Sequence, residues 1–159
     1  MKKVCIYFQV HQPYRLRTYR FFDIGLNHNY FDDYANRNYI RRIAERCYLP
    51  ANQLLYELIT KYKGKFKISF SLSGVFIDQM LEYAPDVLES FQRLAKTKQV
   101  EFLAETYSHS LVSLKDKVEF QDQIRAHSAK IEELFNYKPK VFRNTELVYS
   151  NQIGADVFE

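Results

Sequence analysis

The sequence predicts an α/β protein with a parallel sheet. Four short runs rich in β-branched and aromatic residues recur along the chain, and segments with helical periodicity separate them. The four runs are KVCIYFQV (3–10), FKISFSLS (66–73), QVEFLAET (99–106) and KVFRNTEL (140–147). Strands that alternate with helices form parallel βαβ units with right-handed crossovers, so the pattern predicts either a doubly wound sheet or a barrel.

Helical periodicity fills the intervals between the predicted strands. Pro50 and Pro85 stand where helices should begin or break, and Gly64 stands where one should end. The segment 14–39 is aromatic and lacks strong periodicity, which predicts a long loop after the first strand. The apolar residues with helical spacing are Ile40, Ile43, Cys47, Leu54, Leu55, Leu58 and Ile59, then Phe76, Ile77, Met80, Leu81, Val87, Leu88, Phe91 and Leu94, and finally Val118, Ile124, Ile131, Leu134 and Phe135.

The composition indicates one globular domain and excludes several other classes of protein. The 159 residues are 47% hydrophobic and 16% aromatic, which is enough for an ordinary core. The 23 basic and 19 acidic residues give a net charge of +4 without a block of like charges, so no nucleic-acid partner is expected. The N-terminal apolar run is too short for a signal peptide, and no run reaches membrane-spanning length. Because Cys5 and Cys47 lack metal or disulfide spacing, we expect a cytoplasmic protein.

Polar side chains suited to binding a sugar follow each predicted strand. In parallel α/β folds, the loops at the carboxyl ends of the strands gather above the sheet and carry the functional residues. We therefore expect His11, Glu105 and Glu146 to converge at one end of the sheet. Groups that bond hydroxyls, set beside aromatic rings, are more typical of a carbohydrate site than of a phosphate site. The residues are His11 and Gln12 after the first strand, Ser71 and Ser73 after the second, Glu105, Tyr107 and His109 after the third, and Arg143, Asn144 and Glu146 at the end of the fourth.

Each of these residues also has a purely structural explanation. His11 fits a buried histidine with satisfied hydrogen bonds, and Glu101 and Glu105 could either face solvent or pair with a lysine. Glu146 could pair with Arg143, although residues three positions apart in an extended chain point to roughly opposite faces. The residue types alone leave these alternatives open.

Four blocks of sequence, taken in order, resemble the first motifs of glycoside hydrolase family 57, in its α-amylase and amylopullulanase-like branch. The blocks are FQVHQPYR, FSLSGVF, VEFLAETYSHSL and FRNTELVYSNQIG, and they extend over essentially the whole chain. The HQP motif is weak by itself, whereas four ordered blocks at strand ends are specific. The resemblance implies a parallel (β/α) barrel of the incomplete seven-stranded type. Residues 1–159 would supply roughly its first four βα units, as the N-terminal part of the catalytic domain.

The resemblance also implies an activity and the residues that perform it. It implies a retaining enzyme that hydrolyses or transfers the α-1,4-glucosidic bonds of an α-glucan or maltooligosaccharide, without a metal or other cofactor. Glu146 matches the catalytic nucleophile of the family. His11 matches a histidine that contacts the sugar at the cleavage subsite.

Further residues are expected to bind the substrate or to tune the nucleophile. Glu101 and His109 match the second motif of the family, where the substrate is also held, and either Glu101 or Glu105 faces the sugar. A cation such as Arg143 and a hydrogen-bond donor such as Asn144 beside Glu146 would keep its carboxylate ionised, as a nucleophile requires. The other residues expected in the substrate site are Gln12, Arg143 and Asn144.

A retaining hydrolase needs a second carboxylic acid roughly 5 Å from its nucleophile. The resemblance implies that this acid is an aspartate of a later motif, which lies outside the 159 residues, and Asp156 is not expected to replace it. We therefore expect the chain to be incomplete and inactive by itself, whether as a fragment, a truncated gene product or a degenerate homologue. A non-catalytic α-glucan-binding remnant is the main alternative. A polysaccharide deacetylase-like barrel is less favoured, because its paired-histidine metal motif, HxxxH, does not occur in the sequence.

Overall fold

The computed structural model describes residues 4–158, which form three strands and six α-helices. The strands are β1 (Tyr7–Val10), β2 (Ile68–Leu72) and β3 (Val100–Phe102). The helices are α1 (Asp33–Ile43), α2 (Leu49–Tyr62), α3 (Gly74–Tyr83), α4 (Pro85–Lys96), α5 (Lys117–Phe135) and α6 (Asn151–Phe158). A π-helical turn, Ala44–Tyr48, joins α1 to α2, and 3-10 turns lie at Phe21–Asp23, Val112–Leu114 and Thr145–Leu147.

The three strands form a parallel sheet in the order β1-β2-β3. Helices α1 to α4 supply the connections between them, as expected of βαβ units. The prediction of an α/β fold with parallel strands is therefore confirmed. The first and third strands are shorter than predicted, because regular pairing covers only residues 7–10 and 100–102.

The fourth predicted strand, residues 140–147, does not form a regular strand. One parallel bridge pairs Phe142 with Ala104, and two backbone hydrogen bonds of 2.8 Å close it. Residues Thr145–Leu147 then turn, with Glu146 and Leu147 in the left-handed region at φ 52 and 58. The chain therefore leaves the sheet soon after the bridge, and the prediction of a strand through residue 147 is wrong. The incomplete seven-stranded barrel, with four βα units from this chain, remains a prediction.

One face of the sheet is aromatic and is covered by helices. Phe8, Phe70 and Phe102 lie side by side on adjacent strands, with ring centroids 5.4 and 6.3 Å apart. Phe91 of α4 packs on Phe70, and Phe135 of α5 stacks on Phe102 with the centroids 4.6 Å apart. Burying a ring of this size contributes about 1.5–3 kcal/mol, so this layer anchors the sheet to the helices. The opposite face carries Tyr7, Gln9, Ser69, Ser71 and Glu101.

The helix boundaries follow the signals in the sequence at most positions. Pro50 lies in the first turn of α2, and Pro85 is the first residue of α4. Lys63 adopts a left-handed conformation at the end of α2, and Gly64 follows it at φ 83. The predicted loop 14–39 is too long, because Asp32 accepts a hydrogen bond from the N–H of Ala35 and starts α1 there. Within residues 4–158, no helix is both long and apolar enough to cross a membrane.

Candidate active site

Four side chains from three chain segments meet at the carboxyl end of the sheet. The His109 ring lies between two carboxylates: Nδ1 is 3.2 Å from Oε2 of Glu105, and Nε2 is 3.2 Å from Oε1 of Glu146. The His11 ring stacks on His109, with centroids 4.2 Å apart and planes at 21°. The expected convergence of His11, Glu105 and Glu146 is therefore observed.

Glu146 is held at the surface by an unusual turn. It occupies the middle of the 3-10 turn Thr145–Leu147 with φ 52 and ψ 21, a backbone conformation that residues other than glycine seldom adopt. The two buried hydroxyls of Thr145 and Thr106 lie 2.8 Å apart and tie this turn to the loop after β3. The Glu146 side chain is 68% exposed, so its carboxylate is open to a ligand while the backbone beneath it is fixed.

Glu105 is fully buried and is fixed through its backbone. Its N–H points at Nδ1 of His127 at 3.4 Å, and Nε2 of His127 lies 2.7 Å from the carbonyl of Leu72, at the end of β2. Burial lowers the pKa of His127, so the ring is neutral and donates through Nε2 while Nδ1 accepts. His127 therefore joins β2 to the segment beyond β3. The second oxygen of Glu105, Oε1, has no hydrogen-bond partner within residues 4–158.

His11 is neutral at physiological pH. Burial is the main cause of its lowered pKa, which is about 4, and the nearby His109 acts in the same direction. Its Nδ1 lies 2.7 Å from Oγ of Ser73, the residue that follows β2 and precedes α3.

Gln12 does not belong to this cluster. Its Nε2 donates to the hydroxyl of Tyr48, and its Oε1 accepts from Arg15 at 3.0 Å. The side chain thus fastens the loop after β1 to the turn between α1 and α2. Its expected contact with substrate stays a prediction.

Arg143 and Asn144 do not contact the Glu146 carboxylate, contrary to the expectation that they would lie beside it and keep it ionised. The guanidinium of Arg143 lies 5.8 Å from the centre of the Tyr7 ring, on the polar face of the sheet. Asn144 donates to Ser113 and to the carbonyl of Val148. Within residues 4–158 the ion-pair partner of Glu146 is His109, so the structural alternative of an Arg143–Glu146 pair is also wrong.

Glu101 and Asp156 are both used in structural contacts away from the cluster. Glu101 accepts a 2.8 Å hydrogen bond from Ser69 on the neighbouring strand. Glu105, and not Glu101, therefore lies beside His109. Asp156 of α6 lies 3.2 Å from the ammonium of Lys117 and accepts from Gln152.

A cleft of about 540 Å³ is lined by the last part of the described chain, and none of the four side chains of the cluster lines it. Its lining includes Phe142, Arg143, Asn144, Leu147, Tyr149 and Ile153. In the described part of the chain, no group of three or more His, Cys, Asp or Glu side chains could hold a metal ion.

His127 is the positioning residue of this site that the motifs do not reveal. It lies on α5, far along the chain from the two backbone groups that it joins. The one signal in the sequence is its position on the buried face of α5, among Phe120, Ile131 and Phe135. A lone histidine in an apolar stripe is usually buried and hydrogen-bonded, but its partners cannot be deduced from the stripe.

Histidines and carboxylates gathered at the carboxyl ends of parallel strands are typical of an enzyme of the α/β class. The model of glycosyl hydrolase family 57 matches residues 5–159. The chain belongs to glycosyl hydrolase family 57, which confirms the resemblance carried by the four motifs.

The matches extend over most of this chain but over only a small part of each relative. A protein of Methanocaldococcus jannaschii named "Putative alpha-amylase" is 44% identical over an alignment of 153 positions, and the match covers 92% of this chain. The chain spans only 32% of that relative. Among solved structures, the 4-alpha-glucanotransferase from Thermococcus litoralis has a TM-score of 0.69 at 16% identity, over 97% of this chain and 20% of its own.

Two further solved structures resemble the chain in fold alone. A CE4 family pseudoenzyme from Bacillus anthracis has a TM-score of 0.53 at 18% identity, over 67% of this chain and 36% of its own. The peptidoglycan deacetylase PdaC from Bacillus subtilis has a TM-score of 0.51 at 21% identity, over 67% and 48%.

Proposed function

We propose that Glu146 is the nucleophile of a retaining active site that acts on the α-1,4-glucosidic bonds of α-glucans, by hydrolysis or transglycosylation. The observation that carries the proposal is the position of the Glu146 carboxylate, exposed at the carboxyl end of a parallel sheet and bonded to His109. Membership of the family supports the substrate class. The names of the two relatives, an amylase and a glucanotransferase, agree with it.

The contacts of Glu146 suggest how the attack would occur. His109 holds Oε1, while Oε2 has no partner within residues 4–158. In this mechanism Oε2 attacks the anomeric carbon and forms a glycosyl ester, as the bond to the leaving oxygen breaks. The hydrogen bond to Oε1 fixes the rotation of the carboxylate, so Oε2 faces the sugar.

Neither Glu105 nor Asp156 is placed to act as the general acid. The His109 ring lies between Glu105 and Glu146, so Glu105 is not placed beside the same glycosidic oxygen. Asp156 is bonded to Lys117 and Gln152. We therefore expect the chain by itself to release little reducing sugar from maltooligosaccharides.

A glycosyl fluoride tests the nucleophile without needing the acid. Fluoride leaves with its electron pair and requires no proton, so Glu146 alone can form the glycosyl ester. We expect 5-fluoro-α-glucosyl fluoride, whose ring fluorine slows hydrolysis of the ester, to label the chain once. Peptide mass spectrometry should place the label on Glu146. The variant Glu146→Gln should remain unlabelled, and Glu57→Gln, at an exposed position on α2, should be labelled normally.

Binding of maltooligosaccharides, measured by calorimetry, separates the competing outcomes. Binding without label on Glu146 would favour the non-catalytic α-glucan-binding remnant. A label on Glu105 would reassign the nucleophile, and neither binding nor label would remove the proposed substrate class.

A further inference from the structure

We propose that Ser73 is a positioning residue that holds His11 in one tautomer, with the ring proton on Nε2, so that His11 donates a hydrogen bond to a hydroxyl of the sugar. The sugar in this inference rests on the proposed function. The tautomer does not, and it can be measured separately.

The backbone places Ser73 beside His11. Its N–H donates to the carbonyl of Val10 at 3.1 Å, which extends the pairing of β1 with β2 by one residue. His11 follows Val10 directly, so the two side chains emerge next to each other at the ends of neighbouring strands. The distance from Ser73 Oγ to His11 Nδ1 is 2.7 Å, and Ser73 is fully buried.

Helix capping uses only a long contact of the Ser73 hydroxyl and does not account for its short one. Ser73 precedes α3, and its Oγ accepts from the N–H of Phe76, but that contact is long at 3.4 Å. The same N–H already has a shorter bond of 3.0 Å to the Ser73 carbonyl. The short contact of the hydroxyl is the one with His11.

The direction of this hydrogen bond follows from the need to satisfy a buried proton. A hydroxyl has one proton and two lone pairs, and Phe76 points its N–H at one of these lone pairs. Within residues 4–158 the acceptor in reach of the hydroxyl proton is Nδ1 of His11. If Nδ1 carried the ring proton instead, the hydroxyl proton would be buried without an acceptor, which is costly. Ser73 therefore donates, and Nδ1 accepts.

A neutral imidazole with an unprotonated Nδ1 carries its proton on Nε2. The lowered pKa of His11 agrees with a neutral ring. One ring face is covered by His109, and no group within residues 4–158 hydrogen-bonds to Nε2. The Nε2–H edge is therefore the part of His11 left for a ligand. A sugar hydroxyl can meet it by accepting, and such bonds can strengthen in the transition state of a retaining enzyme.

Nitrogen NMR of the histidine rings tests the tautomer directly. In the unaltered chain at neutral pH, we expect Nδ1 of His11 to show the shift of an unprotonated nitrogen and Nε2 that of a protonated one. In Ser73→Ala the two shifts should move towards each other as the tautomers mix, and Ser73→Thr should restore the original pattern. A protonated Nδ1 in the unaltered chain, or an unchanged pattern in Ser73→Ala, would overturn the proposal.

A second helix cap serves as the matched control. Asp116 caps α5 by accepting from the N–H of Glu119 at 3.0 Å, so Asp116→Ala should lower the melting temperature without changing the His11 shifts. If Asp116→Ala shifts the His11 signals as Ser73→Ala does, the effect is general loosening and the proposal fails.

The labelling reaction supplies the functional readout. We expect Ser73→Ala to lower the maximal rate of labelling by 5-fluoro-α-glucosyl fluoride about tenfold, the effect of one hydrogen bond, with Ser73→Thr recovering most of it. If Ser73→Ala is labelled at the full rate, Ser73 does not position His11 for the reaction. Absence of label in the unaltered chain would instead contradict the nucleophile role of Glu146, and the NMR result would still decide the tautomer.

Discussion

The imidazole rings of His11 and His109 are stacked, with their centroids 4.2 Å apart. They lie in different electrostatic surroundings. His109 faces a carboxylate oxygen at each ring nitrogen, and its Nε2 also lies 3.2 Å from the amide nitrogen of Gln9. His11 faces a hydroxyl instead, and burial together with the neighbouring His109 lowers its pKa to about 4. The stack therefore joins a ring set between two carboxylates to a neutral ring that meets a hydroxyl.

The bond between His109 and buried Glu105 predicts a large loss of stability when the histidine is removed. Phenylalanine at position 109 can keep the stack on His11 but leaves the Glu105 carboxylate buried without a partner. We expect His109→Phe to lower the free energy of unfolding by about 3 kcal/mol, measured by urea denaturation. The double variant His109→Phe/Glu105→Met should recover most of that loss, because it removes the stranded charge. If the double variant is less stable than His109→Phe, the loss has another source.

The left-handed turn at Glu146 predicts that glycine at this position gives a more stable protein than alanine, the reverse of their order in a helix. At φ 52 a side chain costs about 1–2 kcal/mol relative to glycine. We therefore expect Glu146→Gly to be more stable than Glu146→Ala by about 1 kcal/mol in thermal or urea unfolding.

The control for this prediction is Glu57, an exposed glutamate in the middle of α2. There the order should reverse, with alanine more stable than glycine by about 1 kcal/mol. If alanine is also preferred at position 146, the turn is not held in the left-handed conformation in solution.

The close approach of Tyr107 to Gly74 predicts that a larger residue at position 74 destabilises the fold. A Cβ on Gly74 would lie 2.4–2.6 Å from three atoms of the Tyr107 ring. The ring cannot easily move aside, because its hydroxyl donates to Asp78 at 2.7 Å. We expect Gly74→Ala to lower the free energy of unfolding by about 1–3 kcal/mol, the usual cost of overpacking.

Gly154 provides the comparison for Gly74→Ala. It lies in α6, where a Cβ would meet Tyr149 at an ordinary 3.4 Å. Gly154→Ala should therefore be neutral or slightly stabilising, since alanine favours a helix. Equal losses in the two variants would show that the Tyr107 contact is not the cause.

The sequence predicts the parallel sheet and several of the residues that meet at its carboxyl end, because both depend on short-range patterns. Strand ends in a parallel sheet meet at one edge, so His11 and Glu146 can be placed together from their positions alone. The direction of Arg143 cannot be predicted in this way. The chain is bridged only at Phe142 before it turns, and the guanidinium follows the polar face towards Tyr7. Left-handed residues other than glycine or asparagine, such as Glu146, leave little sequence signal.

The lowered pKa of His127 predicts how the stability of the fold changes with pH. Burial lowers its pKa in the folded chain below the ordinary 6.5. Between these two pKa values the unfolded chain binds a proton that the folded chain does not, so stability falls as the pH drops below 6.5. Above 6.5 both states are neutral and the contribution is constant. His11, with its pKa lowered to about 4, acts with the same sign between pH 6.5 and 4.

Replacing His127 by glutamine should flatten this dependence without abolishing it. A glutamine amide can donate to the carbonyl of Leu72 and accept from the N–H of Glu105, but it does not titrate. We expect the melting temperature of the unaltered chain to fall as the pH drops from 6.5 to 4.5, and that of His127→Gln to fall less steeply, because His11 still contributes with the same sign. One such histidine accounts for at most about 1.4 kcal/mol per pH unit. Identical slopes for the two proteins over this range would mean that His127 takes up its proton equally in the folded and unfolded chain, and that it does not hold Glu105 as a neutral acceptor.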